Sequence, residues 1–247
     1  MNTVLVTGAA GGVGTAVAIS LHERGQRVAL LDRDAEGAAA LAKSLAPYGT
    51  TALPIAADVT EPDSVDGAVR AVVEAWGPLD RIVCCAGLAT AAKPFTDTPL
   101  ATWHQALDVN LMGAVHTARA AIPQLRDGGA IVLVSSVAGV RSRAGLSAYC
   151  AAKAAVNSLT QTLALELADR RIRVNCVAPG SLDTGMFAQF GRPGESTADM
   201  VARYAPGIPL GRLGTPQEIA TAVQFLLDHS ASFLTGQVLS VDGGRSL

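Results

Sequence analysis

Short apolar runs rich in β-formers alternate with longer alanine-rich stretches of helical period along the whole chain, and this alternation limits the fold more than any other feature. The runs Val4–Val6, Arg27–Leu31, Ala52–Ala56, Arg81–Cys84, Ala130–Ser135, Arg173–Ala178 and Gln237–Val241 predict seven strands. Several are apolar throughout, the pattern of strands covered on both faces. Helices are expected at about residues 14–24, 34–45, 62–76, 100–125, 147–168 and 216–228. Pro62 and Asp63 suit a helix start, and Thr215 before Pro216 reads as an N-cap followed by proline in the first turn. Repeated βα units imply a doubly wound α/β fold: a parallel sheet with right-handed crossovers and helices on both faces. No linker, repeat or low-complexity tract divides the chain, so one domain over residues 1–247 is expected.

Charge is sparse, at 16% against a typical ~25%, which argues for extensive burial. A net charge of −2, with no basic run beyond the Arg170, Arg171, Arg173 cluster, leaves no footprint for a nucleic-acid partner. Cys84, Cys85, Cys150 and Cys176 lack C-x-x-C spacing and sit in apolar surroundings. They suit reduced thiols in the cytoplasm, with no disulfide framework and no metal site. Residues 1–21 carry no charge, but Gly8, Gly11, Gly12 and Gly14 interrupt them and no basic segment leads them. The stretch therefore reads as soluble, neither signal peptide nor membrane span.

Directly after the first strand comes Thr7-Gly8-Ala9-Ala10-Gly11-Gly12-Val13-Gly14. A glycine-rich turn between strand and helix lets backbone N–H groups approach a pyrophosphate, and the helix N-terminus favours its charge. The spacing is Gly-x-x-x-Gly-x-Gly, not the commoner G-x-G-x-x-G. The second strand ends at Asp32, where a carboxylate can accept from adenosine ribose hydroxyls and repel a 2′-phosphate, so NAD is expected over NADP. Arg33 next to it weakens that selection. Asp58, after the third strand, suits either an adenine contact or a helix cap.

Tyr149 and Lys153 stand four apart, on one face at the start of a helix. A phenol is a poor base near neutral pH, but an ammonium beside it, together with an oxidised nicotinamide, favours the phenolate. Tyr and Lys at this spacing also occur on solvated helix faces. Ser135 and Ser136 end the fifth strand pointing in opposite directions, so one of them can reach a substrate oxygen. Neither lies in G-x-S-x-G, and His22, His104, His116 and His229 show no triad context.

Thr7-Gly8-x-x-x-Gly12-x-Gly14, Asp108-Val109-Asn110, Ser136, Tyr149-x-x-x-Lys153, Pro179-Gly180, Leu234-Thr235-Gly236-Gln237 and Val241-Asp242-Gly243-Gly244 follow one another over nearly the whole chain. In that order they resemble the short-chain dehydrogenase/reductase family, in its compact single-domain branch. The resemblance implies a Rossmann-type sheet and hydride transfer between a nicotinamide and a secondary alcohol or ketone. It implies a catalytic tetrad of Asn110, Ser136, Tyr149 and Lys153, with Tyr149 as acid/base and Asn110 holding a water that links Lys153 to solvent. Cofactor contacts are implied from Gly8, Gly12, Val13, Gly14, Asp32, Asp58, Val59, Ala86, Gly87, Tyr149, Lys153, Pro179, Gly180 and Thr184. Where the family often has Asn-Asn-Ala-Gly, this chain has Cys84-Cys85-Ala86-Gly87. The two thiols then read as packing residues.

Substrate contacts are expected from Leu88–Thr96, Val137–Leu146 and the poorly patterned residues 185–206, which hold Phe187, Phe190, Gly191, Pro193 and Gly194 and suit a lid. Gly145–Tyr149 and Pro179–Met186 resemble dehydrogenases of cyclic dihydrodiol carboxylates of the 2,3-dihydro-2,3-dihydroxybenzoate type, and Arg141 or Arg143 could meet the carboxylate, pair across an interface or remain solvated. A 3-oxoacyl-carrier-protein reductase is an alternative that Asp32 disfavours. A regulatory NAD(H)-binding protein is another, which the complete tetrad disfavours. Residues 111–125 and 154–165 carry a single charge, Arg119. In the resembled family such helices pack between subunits, so a homotetramer through residues near 100–125 and 147–168 is expected.

Overall fold

The computed structural model describes residues 1–47, 50–191 and 194–247. Seven parallel strands form one sheet: β1 (Thr3–Thr7), β2 (Arg27–Asp32), β3 (Ala52–Ala56), β4 (Leu79–Cys84), β5 (Leu125–Val134), β6 (Arg173–Pro179) and β7 (Val238–Val241). Their order is β3-β2-β1-β4-β5-β6-β7. The helices are α1 (Gly12–Glu23), α2 (Ala35–Leu45), α3 (Pro62–Trp76), α4 (Leu100–Leu107), α5 (Gly113–Ala121), α6 (Ser147–Glu166), α7 (Gly185–Ala188), α8 (Thr197–Tyr204) and α9 (Pro216–Leu227).

Alternate strand residues feed two cores. Leu5, Ile82, Ile131 and Leu133 pack under α3, α5 and α6. Val4, Val6, Val83 and Val132 pack under α1, α2 and α9. Both faces are thus buried, which is why these strands read as continuous apolar runs. The winding direction reverses between β1 and β4, opening a crevice at the carboxyl ends of the strands. Thr7 pairs in register with Leu31 on one side and Cys84 on the other, so three chain segments leave the sheet at one level.

The helix starts at Pro62 and Thr215 are as expected. Thr215 and Glu218 form a reciprocal capping box ahead of α9. Three stretches differ from the sequence reading. The α-helical run expected to reach about residue 125 ends at Ala121 and passes into a 3-10 turn over Ile122–Gln124, because Pro123 has no N–H to donate to the Arg119 carbonyl. Within that run, Asp108–Met112 form a wide π turn. Strand β5 begins at Leu125 and shifts register against β4 before Ala130, across Asp127-Gly128-Gly129. Residues 185–191 and 194–206 hold more regular structure than their composition suggests: α7 and α8, the latter opened by a Ser196/Asp199 capping box. Pro193 lies outside the described residues. Among the described residues, no helix is long and apolar enough to cross a membrane.

Candidate active site

The crevice at the switch point is a cavity of about 440 Å³. All sixteen residues expected in catalysis or cofactor binding border it, from Gly8 to Thr184. Its floor is set by close backbone approaches. Gly8 has φ +65°, and a Cβ there would lie 2.7 Å from the Ala86 backbone. A Cβ on Gly14 would stand 2.0 Å from the Gly8 carbonyl oxygen. Only glycine fits either place. Gly11 caps α1 without a side-chain hydrogen bond, leaving the first N–H groups of the helix for a ligand.

Asp32 closes one end of this cradle. One carboxylate oxygen accepts from Ala10 N at 2.9 Å and the other from Asp34 N at 3.0 Å, so the side chain pins the glycine turn to β2. Arg33 borders the same end. Asp58 accepts from the Thr60 amide (2.9 Å) and hydroxyl (2.7 Å), which hold its carboxyl below the usual range. It therefore braces the turn before α3, while the N-cap of α3 is Glu61. Pro179-Gly180 ends β6 where a Cβ on Gly180 would meet Asp242 Cα at 2.7 Å.

At the other end, the two serines divide their roles as alternating side chains must. The Ser135 hydroxyl is buried and donates to the Lys153 carbonyl at 2.9 Å. Ser136 accepts from Ala138 N at 3.1 Å and, facing Tyr149, acts to lower the phenol's pKa. Gly139 lets this turn lie on α6, since a Cβ there would be 2.6 Å from the Lys153 carbonyl carbon. Lys153, 4% exposed, donates from Nζ to the Val134 carbonyl at 3.0 Å and sits 5.9 Å from the Tyr149 ring centroid.

Burial pushes Lys153 down to about 8. Burial also raises Tyr149, and Ser136 pulls in the opposite direction. In the protein alone the phenol is thus held protonated near neutral pH. The ammonium does not by itself bring it into the working range. Asn110, in the π turn, clips Leu88 from both sides: Nδ2 donates to Leu88 O (3.1 Å) and Oδ1 accepts from Leu88 N (3.1 Å). Gly87 lies between Asn110 and Lys153, with room for no Cβ.

Desolvation raises both adjacent thiols, Cys84 to about 12, so neither is a nucleophile. The Thr7 hydroxyl accepts from Ala86 N at 3.3 Å, tying the end of β1 to the turn after β4. Of the expected substrate segments, Leu88, Val137, Ala138, Arg143, Leu146, Met186, Phe187, Phe190 and Tyr204 reach the cavity. Arg141 does not; its guanidinium donates to the main-chain oxygens of Arg245 and Leu247. Tyr204 was not singled out from sequence, although the Ser196-x-x-Asp199 box before it is a readable helix start.

A family model described as enoyl-(acyl carrier protein) reductase matches residues 8–246. Cis-4-hydroxycyclohexanecarboxylate dehydrogenase of Sinomonas cyclohexanicum is 41% identical, over 97% of this chain and 94% of the relative. The chain belongs to the short-chain dehydrogenase/reductase family. Cyclohexanol dehydrogenase of Acinetobacter sp. (strain SE19) is 35% identical over 97% of this chain and 92% of its own. A solved 3-ketoacyl-(acyl-carrier-protein) reductase from Brucella melitensis, complexed with NADH, superposes with a TM-score of 0.92 at 33% identity, covering 100% of this chain and 98% of the other. This short-chain dehydrogenase/reductase is accordingly an oxidoreductase of secondary alcohols and ketones that uses a nicotinamide cofactor.

Proposed function

We propose that the protein is an NAD-preferring dehydrogenase of a small cyclic secondary alcohol, with Tyr149 as its general acid and base. The observation that carries this reading is the convergence of Ser136, Tyr149 and Lys153 on one wall of the cavity whose floor is the glycine cradle. The names of the two relatives that act on cyclohexane rings support the substrate size.

The residues present fit a dinucleotide. The uncapped N-terminus of α1 and the close-packed Gly8 and Gly14 provide the pyrophosphate cradle, and Asp32, held by two backbone N–H groups, keeps a negative charge where a 2′-phosphate would lie. The bound nicotinamide supplies the hydride acceptor or donor. Tyr149 takes the hydroxyl proton from the alcohol on oxidation and returns it on reduction. Because Ser136 Oγ already accepts from Ala138 N, its own hydrogen is free for the substrate oxygen or for Tyr149. Lys153 uses one N–H on Val134, leaving two to hold the ribose and to favour the phenolate. Asn110 positions this wall by fixing Leu88 next to Gly87.

The outer face of α6 presents Ala151, Ala154, Ser158, Gln161, Thr162 and Leu165, with no charge before Glu166 at its last residue. Leu165 is 81% exposed in the single chain. Such a face suits a homotetramer, which light scattering of the purified protein tests; a monomer would refute it. Cofactor choice is tested by cyclohexanol oxidation with NAD and NADP. An NAD preference of about tenfold or more in kcat/KM is expected, and a preference for NADP would refute the role of Asp32.

A further inference from the structure

The Tyr204 ring lies between two guanidinium groups, and the two differ in one respect. Arg203, 4.7 Å from the ring centroid, is paired through Nε and Nη2 with both oxygens of Glu195 at 2.6 Å. Arg143, 5.0 Å from the same centroid, has no carboxylate partner among the described residues. Its Nη2 donates to the Tyr204 hydroxyl at 3.2 Å. It is the unneutralised arginine of the pair that borders the catalytic cavity, half-buried.

Charge along the cavity is divided. Asp32, Asp34 and Asp58 all stand at the ends of β2 and β3, in the dinucleotide half. Around Arg143 the wall is apolar: Leu146, Met186, Phe187 and Phe190. A guanidinium half removed from water among apolar groups attracts an anion strongly, and its planar fork matches a carboxylate. Tyr204 completes the arrangement, because a hydroxyl that accepts from Arg143 keeps its own hydrogen to donate.

We propose that Arg143, with Tyr204, binds a carboxylate carried by the alcohol substrate and so selects cyclic hydroxy acids over neutral alcohols. The assignment rests on the dehydrogenase reading for its reaction and ring size, and on the cavity for its carboxylate. Arg143 is a specificity-determining residue: it holds the end of the substrate that does not react, while Tyr149 handles the carbinol.

The test is calorimetric titration of the protein with NADH present, using cyclohexanecarboxylate and cyclohexanecarboxamide on wild type, Arg143→Lys, Arg143→Gln and Tyr204→Phe. The ratio of the two affinities within each protein is the readout, so a general loss of packing cancels. Wild type is expected to favour the carboxylate by about 10- to 100-fold, the range for a charge-assisted hydrogen-bonded pair. Arg143→Gln should bring the ratio close to one, Arg143→Lys should keep part of it, and Tyr204→Phe should reduce it a fewfold. A wild-type ratio near one, or a ratio unchanged in Arg143→Gln, overturns the proposal. If the ratio behaves as expected but no secondary alcohol is turned over, the dehydrogenase reading fails and the carboxylate site stands. If neutral alcohols are oxidised while the ratio is near one, the reverse holds.

Discussion

At the carboxyl ends of β1, β2 and β4 the cavity lining is set by close backbone approaches, whereas the wall from residues 181–191 and 194–206 is held by side chains packed on one another. Gly8 and Gly14 each face a backbone atom closer than any Cβ allows. Across the cavity, Phe187 stacks edge-on against Tyr204 at 5.0 Å, Phe190 against Tyr149 at 5.9 Å, and Met200, Ile208 and Leu213 fill a small core of their own. Gly8 and Gly14 in the first wall admit no other residue type. The apolar positions of the second tolerate exchange at similar volume. A family can therefore keep its cofactor chemistry while exchanging its substrates.

The sharpest way to break this contrast is Gly14→Ala. The added methyl meets the Gly8 carbonyl at 2.0 Å, so the turn must rearrange. NADH affinity, measured by fluorescence titration, should fall about 100-fold or more, equivalent to roughly 3 kcal/mol of overpacking. Asp32→Ala comes next: the NAD over NADP preference in kcat/KM should shrink by about tenfold or more, the weight of one charge contact. Free backbone N–H groups at Ala10 and Asp34 should also lower thermal stability slightly.

Lys153 provides a stability test with a definite sign. Its folded value, about 8, lies below the ordinary lysine value of 10.5, so the unfolded chain holds the proton more tightly. The resulting penalty is complete below pH 8, shrinks between pH 8 and 10.5, and is absent above. Lys153→Met should therefore abolish turnover while raising stability at pH 7 by roughly 1–2 kcal/mol, after the loss of the bond to Val134 is deducted. Thermal melts should show the gain fading from about pH 8 and gone by about pH 10.5. The smallest effect belongs to the exchangeable wall: Phe190→Leu should change KM for the alcohol a fewfold and leave NADH affinity nearly untouched, as expected for a modest apolar truncation remote from the glycine cradle.

The same contrast explains what could be read from sequence. Gly8, Gly14 and Pro179-Gly180 advertise themselves because a close backbone approach leaves a residue-type signature. Tyr149 and Lys153 are legible through their i, i+4 spacing on α6, and Ser136 through its place after β5. Asp58 was readable as important but not as the brace of its own turn, since the same residue type serves caps, turns and ligands. The end of α5 was misplaced although Pro123 marks it, because apolar period continues past the break. Helix α8 was missed because its pattern is short, and Tyr204 with it. Arg141 and Arg143 look equivalent in sequence. Only tertiary structure sends one to the main chain of residues 245–247 and the other to the cavity.

The central claim is that Tyr149 moves the proton while the cradle holds the cofactor, and the most direct measurement is kcat for NAD-dependent oxidation of cyclohexanol as a function of pH, in wild type and Tyr149→Phe. Because burial raises the phenol, wild-type oxidation should accelerate as pH rises through and above neutrality. The variant should still bind NADH and lose about 10³-fold or more in kcat, within the range of a positioned acid/base. A Tyr149→Phe protein that keeps kcat within about tenfold of wild type, with the same rise against pH, would contradict the account.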